Sequence, residues 1–262
     1  MILHRLYCAI IHLFQTLPNT RQTMSSPQTF IFLHGAWQAS WCWKRVADPL
    51  MAAGHRVITP DLPGHGMRMQ PTHTVTFQDY VTAIIELVEQ QAEPVTLIGH
   101  SMAGLIISQV AEHVPNRIKE LVFIAAYIPE DNQSLFSIAE KLESRGVSPL
   151  LLIDRVKQEI QLKRCPELMS LFFNRCSTKD AQEAFNQLQP QPLQPFTAKV
   201  RVGDSFNRVA KRFFICTDDR VLLPSDQLKM SNKATKHITH LDADHSAYYS
   251  NTEDLVSLIN QK

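Results

Sequence analysis

One stretch of the chain, Thr96 to Val110, combines three features that few folds can accommodate together. It reads TLIGHSMAGLIISQV: an apolar run, then a cluster of small residues, then apolar residues at helical spacing. The apolar run favours a strand, and the spacing that follows favours an amphipathic helix. The small residues between them predict a sharp strand-to-helix turn, with Ser101 at its tightest point.

The same alternation of apolar runs and helical stretches continues along the chain. The further strand-like runs are TFIFLHG (Thr29–Gly35), RVIT (Arg56–Thr59), ELVFIAA, RFFICT and HITHL. Because these runs are continuous rather than alternating in polarity, they are typical of strands buried on both faces, as in a parallel sheet. Helical stretches of roughly 10–15 residues lie between them, which predicts an α/β fold with a mostly parallel, doubly wound sheet.

Capping signals mark the ends of several of these helices. Thr76 with Asp79 has the spacing of a capping box, and Asn251 with Asp254 predicts the start of a last helix. Gly54 predicts the end of an earlier helix, because glycine readily adopts the left-handed conformation of a helix stop.

From about residue 129 to residue 204 the alternation of strands and helices stops. This segment contains helical patterns, such as LFSIAEKLES, LMSLFF and DAQEAFNQL, and no convincing strand. QPQPLQP near its end has the composition of an extended, proline-rich connector. We therefore expect a helical cap, residues 129–204, inserted into one domain that covers residues 24–262.

The amino-terminal segment precedes that domain. MILHRLYCAIIHLF, residues 1–14, is apolar but interrupted, and it is too short to span a bilayer. It also lacks the cleavage pattern of a signal peptide. We expect residues 1–23 to be an extension without a part in the chemistry, with Met24 as an alternative start. An export or membrane-association role and a helix docked on the domain are the alternative interpretations.

Composition argues against several classes of partner. Lys plus Arg is 26 and Asp plus Glu is 25, so the net charge of +1 creates no basic field for nucleic acid or an anionic membrane. The five cysteines are scattered, without the spacing of a disulfide framework or a metal site, which favours a reducing, cytoplasmic compartment. Small, largely uncharged molecules are the compatible ligands, and the oligomeric state stays open.

A serine on such a turn is in the position of a catalytic nucleophile. The nucleophile-elbow motif G-x-S-x-G is present except that Ala103 replaces the last glycine. Alanine meets nearly the same demand for a small residue beside a strained turn. The alternative is an ordinary turn serine. Since a serine hydroxyl is a weak nucleophile at neutral pH, it needs a base that is itself oriented by a carboxylate.

Three histidines follow far enough along the chain to supply that base: His237, His240 and His245. The first two lie within the last strand pattern. His245 follows that strand and precedes the last helix, so its loop can reach the turn, and we predict that it is the base. His100 is a poor base for Ser101 because consecutive side chains diverge, and we expect it to be structural.

The other catalytic groups are expected on loops at the same edge of the sheet. Asp218 and Asp219 both follow the strand RFFICT, and the pattern alone does not decide which of them orients the base. An oxyanion needs two preorganised donors. We expect these to be the backbone N–H of Met102, which follows the nucleophile, and that of Ala36, because Gly35 allows the preceding loop to turn.

These motifs together resemble a known superfamily. FLHGAWQASWCW, AAGHRVITPDLPGHG, LIGHSMAGLIISQVAEHVPNRIKELVFIAAYIPEDNQSL, CTDDRVLLPSDQ and ADHSAYYS resemble the α/β-hydrolases, and within them the branch of plant methyl salicylate esterases, hydroxynitrile lyases and bacterial carboxylesterases. The resemblance runs from about Thr29 to the carboxyl end. It implies ester hydrolysis through an acyl-enzyme by Ser101 and His245, without cofactor or metal. Aligning CTDD with the family's CTED implies that Asp219 is the catalytic aspartate.

The resemblance leaves alternative activities. Hydroxynitrile lyases resemble the chain but have a threonine in place of Gly35 and a lysine directly after the catalytic histidine, where this chain has Ser246. Lyase chemistry is therefore poorly supported. Thioester or lactone hydrolysis uses the same acyl chemistry and stays open. A non-catalytic or slow-turnover binding protein on the same fold stays open as well.

Apolar residues near the motifs indicate the kind of substrate. The tryptophans and two leucine- or phenylalanine-rich segments offer an apolar wall and lid, although each residue alone is better explained by core packing: Trp37, Trp41, Trp43, Pro149–Ile153 and Leu168–Phe173. Gly35 and Trp37 are the residues that we expect to contact the substrate. The sequence thus predicts a serine carboxylesterase for a small apolar ester.

Overall fold

The computed structural model describes residues 27–261, so the expectations for residues 1–23 and Met24 lie outside the described residues. Within this range no helix combines the length and apolar character needed to cross a membrane. The strands of this range are β1 (Thr29–Leu33), β2 (Arg56–Ile58), β3 (Val95–His100), β4 (Ile118–Ile124), β5 (Leu151–Asp154), β6 (Glu159–Leu162), β7 (Gln191–Pro192), β8 (Lys211–Cys216) and β9 (Ile238–Leu241).

The α-helices of the same range are α1 (Lys44–Ala52), α2 (Phe77–Glu89), α3 (Ala103–His113), α4 (Leu135–Ala139), α5 (Pro166–Phe172), α6 (Thr178–Gln187), α7 (Gln194–Thr197), α8 (Asp204–Arg208), α9 (Pro224–Ala234), α10 (Ala247–Ser250) and α11 (Thr252–Asn260). Short 3₁₀ helices cover Ser40–Trp43, Gly66–Arg68, Thr72–Thr74, Pro115–Arg117 and Ser148–Leu150.

Six strands form the central sheet in the order β2-β1-β3-β4-β8-β9. Each neighbouring pair is parallel, which confirms the predicted mostly parallel α/β sheet. The chain runs outward from β1 to β2 and then returns to the other side of β1 to form β3. Ligand sites in such sheets lie outside the carboxyl ends of the strands where the order reverses. In this protein that point lies between β1 and β3.

The continuous apolar runs arise because successive residues of a strand enter two different cores. Ile31 and Leu33 face one core, on the side of α2 and α3. Phe30 and Phe32 face the other, where Trp43 and the carboxyl-terminal helices pack. Side chains alternate between the two faces of a strand, so a strand with helices on both faces is apolar at every position.

The predicted helix boundaries at the three capping signals are confirmed. The Thr76 hydroxyl accepts from the N–H of Asp79 at 3.2 Å, and the Asp79 carboxylate accepts from the N–H of Thr76 at 2.7 Å. Helix α1 ends at Ala52, just before Gly54, whose φ is +90°. Asn251 accepts from the N–H at the start of α11.

The segment expected to form a helical cap contains helices α4 to α7 but also a second sheet, β5-β6-β7, which is antiparallel. The expectation that this segment holds no strand is therefore wrong. Strands β5 and β6 have only four residues each, so neither shows a clear alternation. The tight turn between them is closed by Asp154, which accepts from the N–H groups of Val156 and Lys157, both at 2.9 Å.

Candidate active site

Ser101 lies on a strained turn at the carboxyl end of the central strand β3. Its φ is +53°, a conformation that residues with a side chain rarely adopt. The turn is held by main-chain hydrogen bonds: the N–H of Ser101 donates to Ile124, and its carbonyl accepts from Gly104 and Tyr127, both at 3.1 Å. The strain is thus maintained by the sheet and places the Ser101 side chain at the carboxyl edge.

The small residues around Ser101 are required by close backbone contacts. A Cβ at Gly104 would lie 2.1 Å from the carbonyl oxygen of Tyr127, and one at Gly99 would lie 3.0 Å from the main chain of Ala103. The methyl group of Ala103 itself is fully buried and fits. The elbow therefore forms with alanine in the place of the motif's last glycine.

His245 and Asp219 form a buried pair beside the elbow. His245 Nδ1 donates to Asp219 Oδ2 at 2.7 Å, and both side chains are at most 1% exposed. The other oxygen of Asp219 accepts from the N–H groups of Val221 and Leu222 at 2.8 and 2.9 Å. These donors orient the carboxylate, and the carboxylate fixes the tautomer of His245 that leaves Nε2 without a proton.

The structure brings Asp219 to His245 and turns Asp218 away. Asp218 contributes its main chain to the loop: its N–H donates to Ala243, and its carbonyl accepts from Asn174. Its carboxylate makes no hydrogen bond among the described residues. The choice that the adjacent pair left open is therefore decided by the direction in which the loop after β8 turns.

Ser101 and His245 are connected through His100, the last residue of β3. His100 Nε2 donates to the main-chain oxygen of His245 at 2.8 Å, and the two rings are 4.6 Å apart. His245 Nε2 has no hydrogen-bond partner within residues 27–261, so it is available to accept a proton. It does not bond Ser101 Oγ in this structure, and such bonds commonly tighten only when substrate is present.

The other histidines near the site are neutral. Burial is the main cause that lowers the pKa of His34 to about 4 and that of His65 to about 3. Burial and the neighbouring His245 also hold the pKa of His100 well below its ordinary value. These three side chains therefore add no positive charge beside His245, and His100 is structural, in agreement with the sequence analysis.

Ala36, Ser101 and Met102 lie together on the wall of a cavity of about 370 Å³. Among the described residues, no protein acceptor takes the main-chain N–H of Ala36 or Met102. Gly35 lies behind them and not on the cavity wall. A Cβ there would be 2.9 Å from His100 Nδ1, so the bare backbone is what allows the loop after β1 to pack on the elbow.

Most of the cavity wall is apolar. The apolar residues that line it are Ala36, Trp37, Met102, Leu135, Phe136, Ala139, Val147, Leu151, Phe196 and Val221. Trp37 is thus on the wall, but the expectation that Trp41 and Trp43 share in it is wrong. Trp43 packs in the core under the sheet, and Trp41 stacks on Tyr249. Periodicity and composition do not reveal which of three neighbouring indoles turns inward.

Three residues that the sequence analysis did not assign to the site support it. Gln227 donates to Asp219 Oδ2 at 3.0 Å. Asp244 is buried in the same loop as His245 and accepts from the main-chain N–H of Ser246 at 2.9 Å. Tyr127 lines the cavity. Within residues 27–261 no group of three or more His, Cys, Asp or Glu side chains is arranged to hold a metal ion.

Comparisons with known proteins agree with this geometry. Residues 30–258 match the model of the alpha/beta hydrolase family. The chain is 30% identical over 244 residues to the putative chloroplastic methylesterase 14 of Arabidopsis thaliana, covering 88% of this chain and 70% of that protein. It is 27% identical over 215 residues to salicylic acid-binding protein 2 of Nicotiana tabacum, covering 75% of this chain and 81% of that one.

A solved structure has the same fold. The crystal structure of a pyrethroid hydrolase from Sphingobium faniae superimposes with a TM-score of 0.81, at 23% identity, over 89% of this chain and 96% of that one. The family match and the relatives confirm the resemblance noted in the sequence. The chain belongs to the α/β-hydrolase family, in its methylesterase-like branch, and is a carboxylic ester hydrolase.

Proposed function

We propose that the chain is a serine esterase that hydrolyses small, largely apolar carboxylic esters through an acyl-enzyme. Ser101 is the nucleophile, His245 the general base and Asp219 the carboxylate that orients the base. The observation that carries the proposal is that Ser101 shares one cavity wall with two unengaged N–H groups, while its neighbour His100 contacts the buried His245–Asp219 pair.

Acylation begins when Ser101 Oγ attacks the ester carbonyl carbon and transfers its proton to His245 Nε2. The carbonyl oxygen becomes an oxyanion, which the N–H groups of Ala36 and Met102 stabilise. Each such donor lowers the barrier by about 2.7–4 kcal/mol. His245 then gives its proton to the alkoxy oxygen, the bond between the acyl carbon and that oxygen breaks, and the alcohol leaves.

Deacylation repeats these steps with water as the nucleophile. His245 Nε2 takes a proton from the attacking water, and the acid is released when Ser101 Oγ recovers that proton. In both halves the imidazolium of His245 exists only briefly. Asp219 stabilises it across the 2.7 Å hydrogen bond, and the neutral His100 ring beside it does not oppose it.

The cavity supports a small substrate. Its volume of about 370 Å³ lies near the lower end of the range of ligand pockets, which is about 300–1,000 Å³. The apolar wall disfavours a charged acyl group, because a charge would lose its hydration without gaining a partner. The relatives named methylesterases support an ester with a small alcohol part.

The direct test compares the wild type with Ser101→Ala on p-nitrophenyl acetate and butyrate. We expect the substitution to lower kcat by a factor on the order of 10⁶, as loss of a serine nucleophile does in other hydrolases. Ser257→Ala, which removes an exposed hydroxyl from α11, is the matched control and should keep full activity. Turnover by a folded Ser101→Ala protein would exclude Ser101 as the nucleophile, and inert wild type would favour a binding role.

A further inference from the structure

The polar side chains around the cavity differ in whether their hydrogen-bonding groups are already engaged. Ser144 is buried and engaged: its hydroxyl donates to Asp226 at 2.6 Å and accepts from the N–H of Leu223 at 2.8 Å. Glu140, Arg145 and Ser148 are exposed at the cavity's outer side. Apart from Ser101 and the exposed Ser148, the remaining hydroxyl that lines the cavity belongs to Tyr127.

Tyr127 differs from the two fully buried tyrosines. Tyr80 accepts from Gln191 Nε2 at 3.1 Å, and Tyr248 is bonded to Ser246 at 3.0 Å and to Gln38. The Tyr127 hydroxyl has no hydrogen bond to any described residue, although its side chain is half-buried on the cavity wall. Enclosed tyrosine hydroxyls usually have a partner. For Tyr127, a molecule bound in the cavity can be that partner.

The position of Tyr127 is fixed relative to the nucleophile. Its N–H donates to the carbonyl of Ser101 at 3.1 Å. Its own carbonyl lies where Gly104 leaves room by having no Cβ. The main chain is engaged on the elbow and Tyr127 lines the cavity, which leaves its ring to form that part of the wall. Burial, with Asp219 and Asp226, raises the pKa of the hydroxyl, so it stays protonated and can donate.

We propose that the Tyr127 hydroxyl determines specificity by hydrogen-bonding an uncharged oxygen that the substrate carries away from its scissile ester. An ether, hydroxyl or carbonyl oxygen has the required chemistry. The proposal rests on the proposed esterase function and narrows its substrates to esters that are apolar except at one such oxygen. A site with a hydroxyl awaiting a partner discriminates against the hydrocarbon analogue, because that analogue leaves the hydroxyl unpaired.

The test uses pairs of esters in which one methylene is replaced by an ether oxygen. On the acyl side, p-nitrophenyl butyrate pairs with p-nitrophenyl methoxyacetate, and the valerate pairs with the 3-methoxypropanoate. On the alcohol side, butyl acetate pairs with 2-methoxyethyl acetate. For each pair the ratio of kcat/KM, ether over methylene, is measured for the wild type, Tyr127→Phe and the control Tyr249→Phe, whose ring stacks on Trp41 outside the cavity.

We expect the wild-type ratio to exceed the Tyr127→Phe ratio by roughly three- to tenfold for at least one pair, the effect of one neutral hydrogen bond. Tyr249→Phe should match the wild type. Intrinsic differences in ester reactivity cancel, because each pair is compared between variants. Equal ratios in the wild type and Tyr127→Phe for every pair would overturn this proposal alone. Failure of the wild type to hydrolyse any of these esters would overturn the proposed function and this proposal with it.

Discussion

The two walls of the cavity are built in different ways. The core wall, formed by Ala36, Ser101 and Met102, is at most 8% exposed and belongs to loops that directly follow β1 and β3. The cap wall comes from residues 135–151 and 196, and several of its side chains reach solvent. The core wall is held by main-chain contacts between neighbouring strands. The loops that carry Ala36, Ser101 and Met102 are therefore fixed by the central sheet.

The hydrogen bonds that attach the cap to the core mostly involve side chains. Trp37 Nε1 donates to the carbonyl of Ile160 at 3.0 Å, and the Arg45 guanidinium bonds the carboxylate of Asp180. Such contacts can change without disturbing the sheet. The difference between the walls teaches that one scaffold can keep its chemistry constant while its cap varies to suit other substrates.

The largest effect is expected from the core, at the aspartate. Asp219→Asn should lower kcat about 10⁴-fold, because an amide cannot hold the His245 tautomer that accepts a proton. Asp218→Asn, the adjacent control, should change kcat less than about threefold, since its carboxylate has no partner among the described residues. Steady-state kinetics on p-nitrophenyl butyrate measure both. Equal losses would exclude Asp219 as the orienting carboxylate.

Acid should destabilise the folded chain through histidines of the core rather than of the cap, because residues 129–204 contain no histidine. The pKa values of His34 and His65 are lowered by burial to about 4 and about 3. As the pH falls below about 6.5 the unfolded chain takes up protons that the folded chain does not, so stability decreases. Between pH 7 and pH 4.5 each histidine should remove about 2–3 kcal/mol from the free energy of unfolding.

Urea unfolding at the two pH values measures this decrease, and His65→Gln serves as its control. The variant loses one of the two histidines, so its decrease between pH 7 and pH 4.5 should be smaller than that of the wild type. An identical decrease in both proteins would mean that His65 does not stay neutral in the folded state.

A methyl group at Gly35 tests how closely the core wall is packed. Gly35→Ala places a Cβ 2.9 Å from His100 Nδ1 and 3.1 Å from Ser101 Cβ. We expect a loss of about 1–3 kcal/mol in stability from overpacking, and a drop in kcat on the order of 100-fold from displacement of the elbow. Gly54→Ala is the control. Its Cβ would meet no atom within 4 Å, but its φ of +90° disfavours alanine, so the variant should lose stability without losing kcat. An unchanged kcat in Gly35→Ala would show that the loop after β1 can accommodate the added methyl group without displacing Ser101.

The smallest effect is expected from the cap. Arg45→Met removes the ion pair with Asp180, which is partly solvent-exposed, and should cost less than about 1 kcal/mol. A double-mutant cycle with Asp180→Asn isolates this coupling in thermal or urea unfolding, and kcat should stay within twofold of the wild type. A coupling above 2 kcal/mol would mean that the cap is as firmly held as the core.

Local residues explain why much of the site was predictable. Gly99, Ala103 and Gly104 lie within three positions of Ser101. The need for small residues at the turn is therefore visible in one short stretch of the sequence. The apolar runs are long enough to identify buried strands, because both faces of the sheet are covered. His245 was predicted to be the base because it alone follows the last strand and precedes the last helix, and the structure pairs it with Asp219.

Other features depend on distant parts of the chain and could not be predicted. LLIDRVKQEIQL forms the hairpin β5–β6, but its strands are short and half-exposed, so their pairing becomes evident only against β7. Trp37 and Trp43 have the same side chain and lie six positions apart. One contacts the cavity and the other the core, because the loop after β1 turns between them.

The sequence alone thus determined the parallel α/β sheet and the strained turn at Ser101, because short-range steric constraints and burial on both faces of a strand restrict the residue types at neighbouring positions. The tertiary structure decided which of Asp218 and Asp219 meets His245, which indole lines the cavity, and that the Tyr127 hydroxyl has no hydrogen-bond partner within residues 27–261. These outcomes depend on the directions in which loops turn and on contacts between residues far apart in the chain, which no local pattern records.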